Sequence, residues 1–214
     1  MDSIAAGATA LITGYLLGSI PSAYITTRLA KGKDIRNLGG GNVGGLNTYR
    51  EVGTLAAVTV AFADIGKGAA VIAIAHWLLD LPLVFVLLAG LGAVIGHNWM
   101  VWLKFNGGKG AGPMIGALSV AMPLYGYLPG LLIFLGVIVV PLVITRNIAL
   151  SIAAALLFLP LIVWMGTNSA TATLMAVILG LIIGIRYLPT ARRAWAKSET
   201  GRDFIFDRGF KGRK

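Results

Sequence analysis

The residues best suited to chemistry fall in two glycine-rich loops. The first reads Leu38-Gly39-Gly40-Gly41-Asn42-Val43-Gly44-Gly45-Leu46-Asn47-Thr48-Tyr49-Arg50. Five of the seven residues from Gly39 to Gly45 are glycine, a density that disfavours a helix and suits a sharply turning backbone that presents its N–H groups. Asn42 and Asn47 add amide donors, and Arg50 adds a planar fork of donors matched to phosphate. The combination reads as an anion cradle. The plainer reading is a flexible linker, which has little use for two asparagines and a closing arginine. The spacing is not the GxGxxG dinucleotide pattern, and no strand pattern precedes it.

The second loop is Lys104-Phe105-Asn106-Gly107-Gly108-Lys109-Gly110-Ala111-Gly112. A glycine loop that carries Lys109 and opens a helix is again a physically sound phosphate site. It lacks the Ser/Thr that completes a P-loop and follows an apolar span, which excludes an NTPase. Its alternative is a close-packed glycine turn. Gly96-His97 lies just upstream. A single histidine at a helix end is commonly a satisfied structural residue, and the basic loop one turn away favours a functional one. Asp64-Ile65-Gly66-Lys67-Gly68 places two charges inside an apolar run, where each costs about 2.5–3.5 kcal/mol or more. At i,i+3 they pair on one helix face, either lining a polar site or fixing helix packing. Gly66 and Gly68 would admit a neighbouring helix in either case. Ser19 and Ser22 flank Pro21, which should kink its helix and leave both hydroxyls on one face.

The elements that must hold these loops are membrane spans. The chain is 57% hydrophobic and 12% charged, where a soluble domain carries about 25% charged residues. Apolar stretches of transmembrane length are predicted from about Ile4 to Leu29, Val52 to Leu79 and Leu83 to Leu103, then a short one from about Ala111 to Val120. Three more end near Val143, Met165 and Ile185. The expected fold is an all-α polytopic membrane protein of seven helices, with residues 1–190 as one membrane domain and 191–214 as a basic tail. That tail carries Trp195, Phe204, Phe206 and Phe210 and is expected on the membrane surface. The first apolar stretch lacks a basic n-region and reads as a span, not as a cleaved signal.

The formal net charge is +10. Lys and Arg concentrate after the first, third and fifth spans and in the tail, and the loops after the second, fourth and sixth hold none. That asymmetry predicts an outside N-terminus, with both glycine loops and the C-terminus in the cytoplasm. No basic run interleaved with stacking aromatics points to nucleic acid. The absence of cysteine removes disulfides and thiolate metal sites, and two histidines with eight acidic residues argue against a metal cage.

Two basic glycine loops on one membrane face suit two phosphate groups, or one extended phosphorylated ligand. No Ser-His-Asp pattern and no HxxxxD pair stand out, so any reaction would rest on positioning and electrostatics. The motifs Gly18-Ser19-Ile20-Pro21-Ser22-Ala23-Tyr24, Asp34-Ile35-Arg36 with Leu38 to Arg50, Asp64 with Lys67, and Gly96-His97 with Phe105 to Gly110 resemble, in order and spacing, the bacterial acyl-phosphate:glycerol-3-phosphate acyltransferases, the PlsY family. The resemblance covers nearly the whole chain. It implies a seven-helix enzyme of the bacterial inner membrane, its active site open to the cytoplasm. That enzyme moves an acyl chain from acyl-phosphate to the 1-hydroxyl of glycerol 3-phosphate, giving lysophosphatidic acid and phosphate. It implies no cofactor, no direct use of acyl carrier protein or coenzyme A, and membrane lipid as surroundings; a monomer is expected.

Carried over by position, Arg50, His97, Lys109 and Asn47 are the expected catalytic residues. Gly39, Gly41, Asn42, Gly44, Gly107, Gly108 and Gly110, with Lys104, Lys67, Ser22, Arg193 and Glu199, are the expected substrate-binding set. The chain also departs from the family pattern. Gly40 stands for a serine, Gly45 for an alanine, Leu46 for a threonine, Asn106 for a lysine and Ala149 for a serine. Tyr187 and Thr190 replace a histidine and an asparagine. Each hydrogen bond to a charged group contributes about 1.5–3 kcal/mol, so these losses leave two other readings open. One is a non-catalytic acyl-phosphate binder. The other is a transporter of a phosphorylated anion, although no internal repeat supports it.

Overall fold

The computed structural model describes residues 3–198, 200, 201, 205 and 206. Glu199, Phe204 and Phe210 lie outside the described residues. The described residues contain helices and no strand. Among the described residues nine α-helices follow in order: α1 Ser3–Gly18, α2 Ser22–Lys31, α3 Gly45–Glu51, α4 Thr54–Ala73, α5 Leu83–Asn98, α6 Ala111–Leu124, α7 Leu128–Thr145, α8 Ile148–Thr167 and α9 Ala170–Lys197. A π-helical turn, Ile74–Leu78, extends α4.

Among the described residues six helical stretches are long and apolar enough to cross a membrane: Ile4–Lys31, Thr54–Leu78, Leu83–Leu103, Leu128–Thr145, Ile148–Thr167 and Ala170–Ala196. Helix α6 is apolar but has 14 residues, short of the roughly 20 a straight span requires. The last helix runs beyond its expected end near Ile185. It continues through Pro189 to Lys197, so the boundary drawn at residue 190 falls inside a helix.

The chain divides into two compact units, Met1–Ala121 and Met122–Lys214. In the second, α7, α8 and α9 form a run of helical hairpins around buried Phe134, Ile138, Ile152, Leu159 and Ile183. The Tyr127 ring lies against Gly130 and Gly166, where a Cβ on either glycine would collide with it.

In the first unit, α1 and α5 approach through small residues. A Cβ on Gly14 would strike the Ala89 carbonyl, and one on Gly18 that of Ala93; from the other side, Gly92 meets the Leu11 carbonyl and Gly96 that of Tyr15. Gly14 with Gly18, and Gly92 with Gly96, are each one turn apart, the small-xxx-small spacing that lets two helix backbones touch without a hydrophobic driving force between them. This seam carries Ser19 and His97 at its end: the Ser19 hydroxyl donates to the Gly96 carbonyl at 3.3 Å, and the Tyr15 hydroxyl to that of Trp99 at 2.8 Å.

Helix α4 meets the start of α6 in the same way. Gly68 faces the Pro113 carbonyl, Gly112 faces Asp64, and Gly116 faces the Ile65 carbonyl. Gly68 thus serves close approach as expected, whereas nothing lies within 4 Å of a Cβ built on Gly66; that glycine is exposed.

These contacts set two opposite outcomes. Gly14→Leu or Gly92→Leu should destabilise the protein by about 1–3 kcal/mol or more through overpacking, while Gly66→Ala should be neutral or slightly stabilising, since alanine is the better helix former. Thermal unfolding in detergent micelles separates them; an unchanged midpoint for both leucine variants would rule out the seam.

Candidate functional site

Pro21 interrupts the first apolar helix, because it lacks an N–H and its ring opposes the preceding turn. The chain leaves α1 at Gly18 and re-enters a helix at Ser22. At this break the Ile20 carbonyl accepts a hydrogen bond from Lys67 Nζ at 3.0 Å, and the Ser22 hydroxyl donates to Asp64 Oδ1 at 2.9 Å. Asp64 and Lys67, one turn apart on α4, pair at 2.8 Å. Lys67 Nζ also lies 3.0 Å from His97 Nδ1. Asp64, Lys67 and His97 are 5%, 8% and 3% exposed, so the whole cluster is withdrawn from solvent. The i,i+3 pairing follows from the sequence; its link to His97, thirty residues on, does not.

Past His97, Asn98 ends α5, and Trp99 and Met100 lead into a short 3-10 turn, Val101–Leu103. Lys104 (φ 54°) and Phe105 (φ 59°) follow in left-handed backbone. The loop then folds back onto α5: the Gly108 N–H donates to the His97 carbonyl at 2.9 Å. A Cβ on Gly107 would strike the His97 and Asn98 backbone, and one on Gly108 would strike the His97 ring at Nε2. Only glycine fits at either position, so the turn rests directly on the histidine. Gly110 adopts φ +81°, leading into α6. Lys109 is half-buried and Lys104 exposed. Nothing in the sequence singles out Asn98, yet it is fully buried with neither side-chain polar atom hydrogen-bonded. Buried amides normally have partners, which marks Asn98 as a further polar group beside the second loop.

The first glycine loop is pinned, not slack. Ile35 and Val43 at its two ends are buried with Ala23, Val60, Met100 and Leu103. Asp34 caps the 3-10 turn Ile35–Asn37 by accepting from the Arg36 N–H. The Arg36 guanidinium pairs with the Asp34 carboxylate at 2.6 Å and holds that carboxyl below its ordinary pKa. Arg36 also donates to the Leu103 carbonyl at 3.2 Å, a direct strut from the first loop to the segment that starts the second. Gly39 (φ +53°) and Gly41 (φ +70°) take left-handed backbone that side-chain-bearing residues rarely adopt. Gly44 is extended and caps α3, and Asn42 is half-buried beside it.

Asn47, expected to be catalytic, makes hydrogen bonds within the first loop. Its Oδ1 accepts from the Gly40 N–H at 3.2 Å, and its Nδ2 donates to the carbonyls of Leu38 at 3.0 Å and Asn42 at 3.1 Å. The amide is occupied in stitching the loop. Ser22 and Lys67, expected to bind substrate, are likewise turned inward on Asp64. Arg50 lies in the last turn of α3 and is exposed. Arg193 is exposed on α9, in the second unit. Nothing lies within 4 Å of a Cβ on Gly40, so the serine missing there would fit.

A family model described as glycerol-3-phosphate acyltransferase matches residues 8–197 of this chain. The chain is 49% identical over 197 residues to glycerol-3-phosphate acyltransferase 1 of Dehalococcoides mccartyi, covering 92% of this chain and 95% of that one. It is 36% identical to glycerol-3-phosphate acyltransferase 2 of the same organism, covering 94% and 93%. Among solved structures it is similar to the glycerol 3-phosphate form of PlsY (YgiH), an integral membrane glycerol 3-phosphate acyltransferase, with a TM-score of 0.76 and 29% identity over 89% of this chain and 92% of that one. The lysophosphatidic acid form of the same protein gives a TM-score of 0.72 at 27% identity, over 93% and 97%.

The role of Asn47 is open to a direct check. Asn47→Ala removes hydrogen bonds that contribute about 0.5–1.5 kcal/mol each. Amide exchange over Leu38–Gly44 should accelerate about tenfold or more, with exchange in α5 unchanged. Equal exchange in both proteins would show that the loop is held by its apolar ends alone.

Proposed function

The chain belongs to the glycerol-3-phosphate acyltransferase (PlsY) family, and from that premise we propose that it transfers the acyl chain of an acyl-phosphate to the 1-hydroxyl of glycerol 3-phosphate. The observation that carries this reading is the strut between the loops: Arg36 ties the first glycine loop to Leu103, and the second loop lies on His97. Two phosphate-suited backbones are thereby held in one unit of the fold, which is what a reaction between two phosphorylated substrates requires.

The chemistry asks little of a nucleophilic side chain, because phosphate is already a good leaving group. The acceptor hydroxyl oxygen attacks the acyl carbonyl carbon. The bond from that carbon to the phosphate oxygen breaks, and inorganic phosphate departs. The departing phosphate takes the hydroxyl proton, so the products are lysophosphatidic acid and phosphate. Catalysis then consists of alignment and charge stabilisation. The N–H groups of the first loop other than those of Gly40, Gly41 and Gly44, which bond within the loop, serve one phosphate with the Arg50 guanidinium, and Lys109 neutralises charge at the second loop. Arg193 and Glu199 belong to the same expected set.

The membrane arrangement follows from charge. With the six long stretches and α6 as seven crossings, every loop rich in Lys and Arg falls on one face, so both glycine loops and the C-terminus face the cytoplasm and the N-terminus lies outside. The enzyme then resides in the bacterial inner membrane and works as a monomer.

The test is a detergent-solubilised assay with palmitoyl-phosphate and labelled glycerol 3-phosphate, following lysophosphatidic acid. An acyltransferase turns over without a sealed vesicle, as a transporter would not. Turnover should be clear in the native chain and fall by about 100-fold or more in Arg50→Ala; full activity in that variant would remove Arg50 from the site. Binding of acyl-phosphate without turnover would identify the non-catalytic binder.

The same assay reads the departures in the first loop. Gly40→Ser combined with Leu46→Thr should raise kcat/KM, since it restores two hydroxyl donors where a side chain fits. No gain would show that the loop has been repurposed and no longer binds phosphate as the family loop does.

A further inference from the structure

His97 presents its two ring nitrogens to different surroundings. Nδ1 lies 3.0 Å from Lys67 Nζ, with Asp64 Oδ1 farther off at 3.5 Å. Nε2 is on the side of the Gly108 turn, where an added Cβ would strike it. The pattern of acceptors around Lys67 fixes which nitrogen carries the proton. An ammonium has three hydrogens and no acceptor capacity, and three acceptors surround this one: Asp64 Oδ1 at 2.8 Å, the Ile20 carbonyl at 3.0 Å and His97 Nδ1 at 3.0 Å. Every hydrogen has a partner only if Nδ1 is the unprotonated nitrogen. A doubly protonated ring would set a second cation 3.0 Å from Lys67 in a buried site, a strongly repulsive arrangement. Asp64 is in turn held by the Ser22 hydroxyl at 2.9 Å.

We propose that Lys67 is a positioning residue that locks His97 as the Nε2–H tautomer, making His97 a hydrogen-bond donor to an anionic substrate oxygen at the Gly107–Lys109 turn and not the base that takes the hydroxyl proton. The inference rests on the proposed function for the identity of that oxygen, a phosphate or acyl-phosphate oxygen. The tautomer itself rests on the contacts alone. It accounts for the hydrogen bonds of Lys67 to His97 and of Ser22 to Asp64, and it is consistent with the proton leaving on phosphate. Fixing a histidine tautomer through the hydrogen bond made by its other nitrogen is a general device.

The decisive measurement is a long-range 1H–15N spectrum of histidine-labelled protein in micelles at neutral pH, with His76→Asn used to leave a single ring. His97 should show a pyridine-type Nδ1 and a pyrrole-type, protonated Nε2. A protonated Nδ1, alone or together with Nε2, overturns the proposal. The second measurement is the kinetics of Lys67→Met. As a positioning residue, its loss should lower kcat by about tenfold or more with both KM values within about twofold, and the ring spectrum should become a tautomer mixture. A raised KM for either phosphorylated substrate with kcat retained would make Lys67 a substrate ligand and overturn the proposal. If Lys67→Met fails to fold, the native spectrum alone decides. Absence of turnover in the native chain would count against the proposed function and leave the spectrum to judge the tautomer.

Discussion

The first unit depends on a single costly arrangement, an ion pair buried in an apolar helix bundle. Asp64 and Lys67 are almost wholly withdrawn from solvent. A buried charge is tolerated only when its partners satisfy it, and stranding one by removing its partner costs about 3–5 kcal/mol. The partners come from two separated places: the Ile20 carbonyl and Ser22 hydroxyl at the Pro21 break, and His97 at the end of α5. The break in the first apolar helix is therefore part of the arrangement and no defect. It supplies a carbonyl for Lys67 and a hydroxyl at the start of α2, which is where non-helical backbone at membrane depth is permitted.

Glycine does two distinct jobs around this centre. In the seam of α1 and α5, and where α4 meets α6, it removes side chains so that backbones touch, and this brings His97 to Lys67. In the loops it permits conformations and contacts that a Cβ would forbid: left-handed backbone at Gly39, Gly41 and Gly110, and the close seat of Gly107 and Gly108 on His97. The loops are nonetheless well anchored. Ile35 and Val43 are sunk in an apolar cluster with Met100 and Leu103, Asn47 ties three backbone positions together, and Arg36 joins the two loops. A glycine-dense loop held in this way has its N–H groups ordered before a ligand arrives, which lowers the cost of binding.

The sequence by itself determined what depends on composition and local spacing. Apolar runs bounded by Lys and Arg define membrane helices, Pro21 defines a break, and the i,i+3 relation of Asp64 and Lys67 puts them on one face. The ordered motifs from Gly18 to Gly110 define the family. Only the tertiary structure decided which of these groups bond to one another. Asn47, Ser22 and Lys67 carry the residue types of a binding site, yet their polar atoms are taken up inside the protein. Gly66 and Gly68 look alike along the chain, and only Gly68 meets another helix. The last helix passes its expected end near Ile185 and continues through Pro189 to Lys197. The physical reason is range: hydropathy and helical phase act over a few residues, whereas the partner of a buried polar atom is set by which distant backbone the packing brings within hydrogen-bond reach, as with His97 and Lys67.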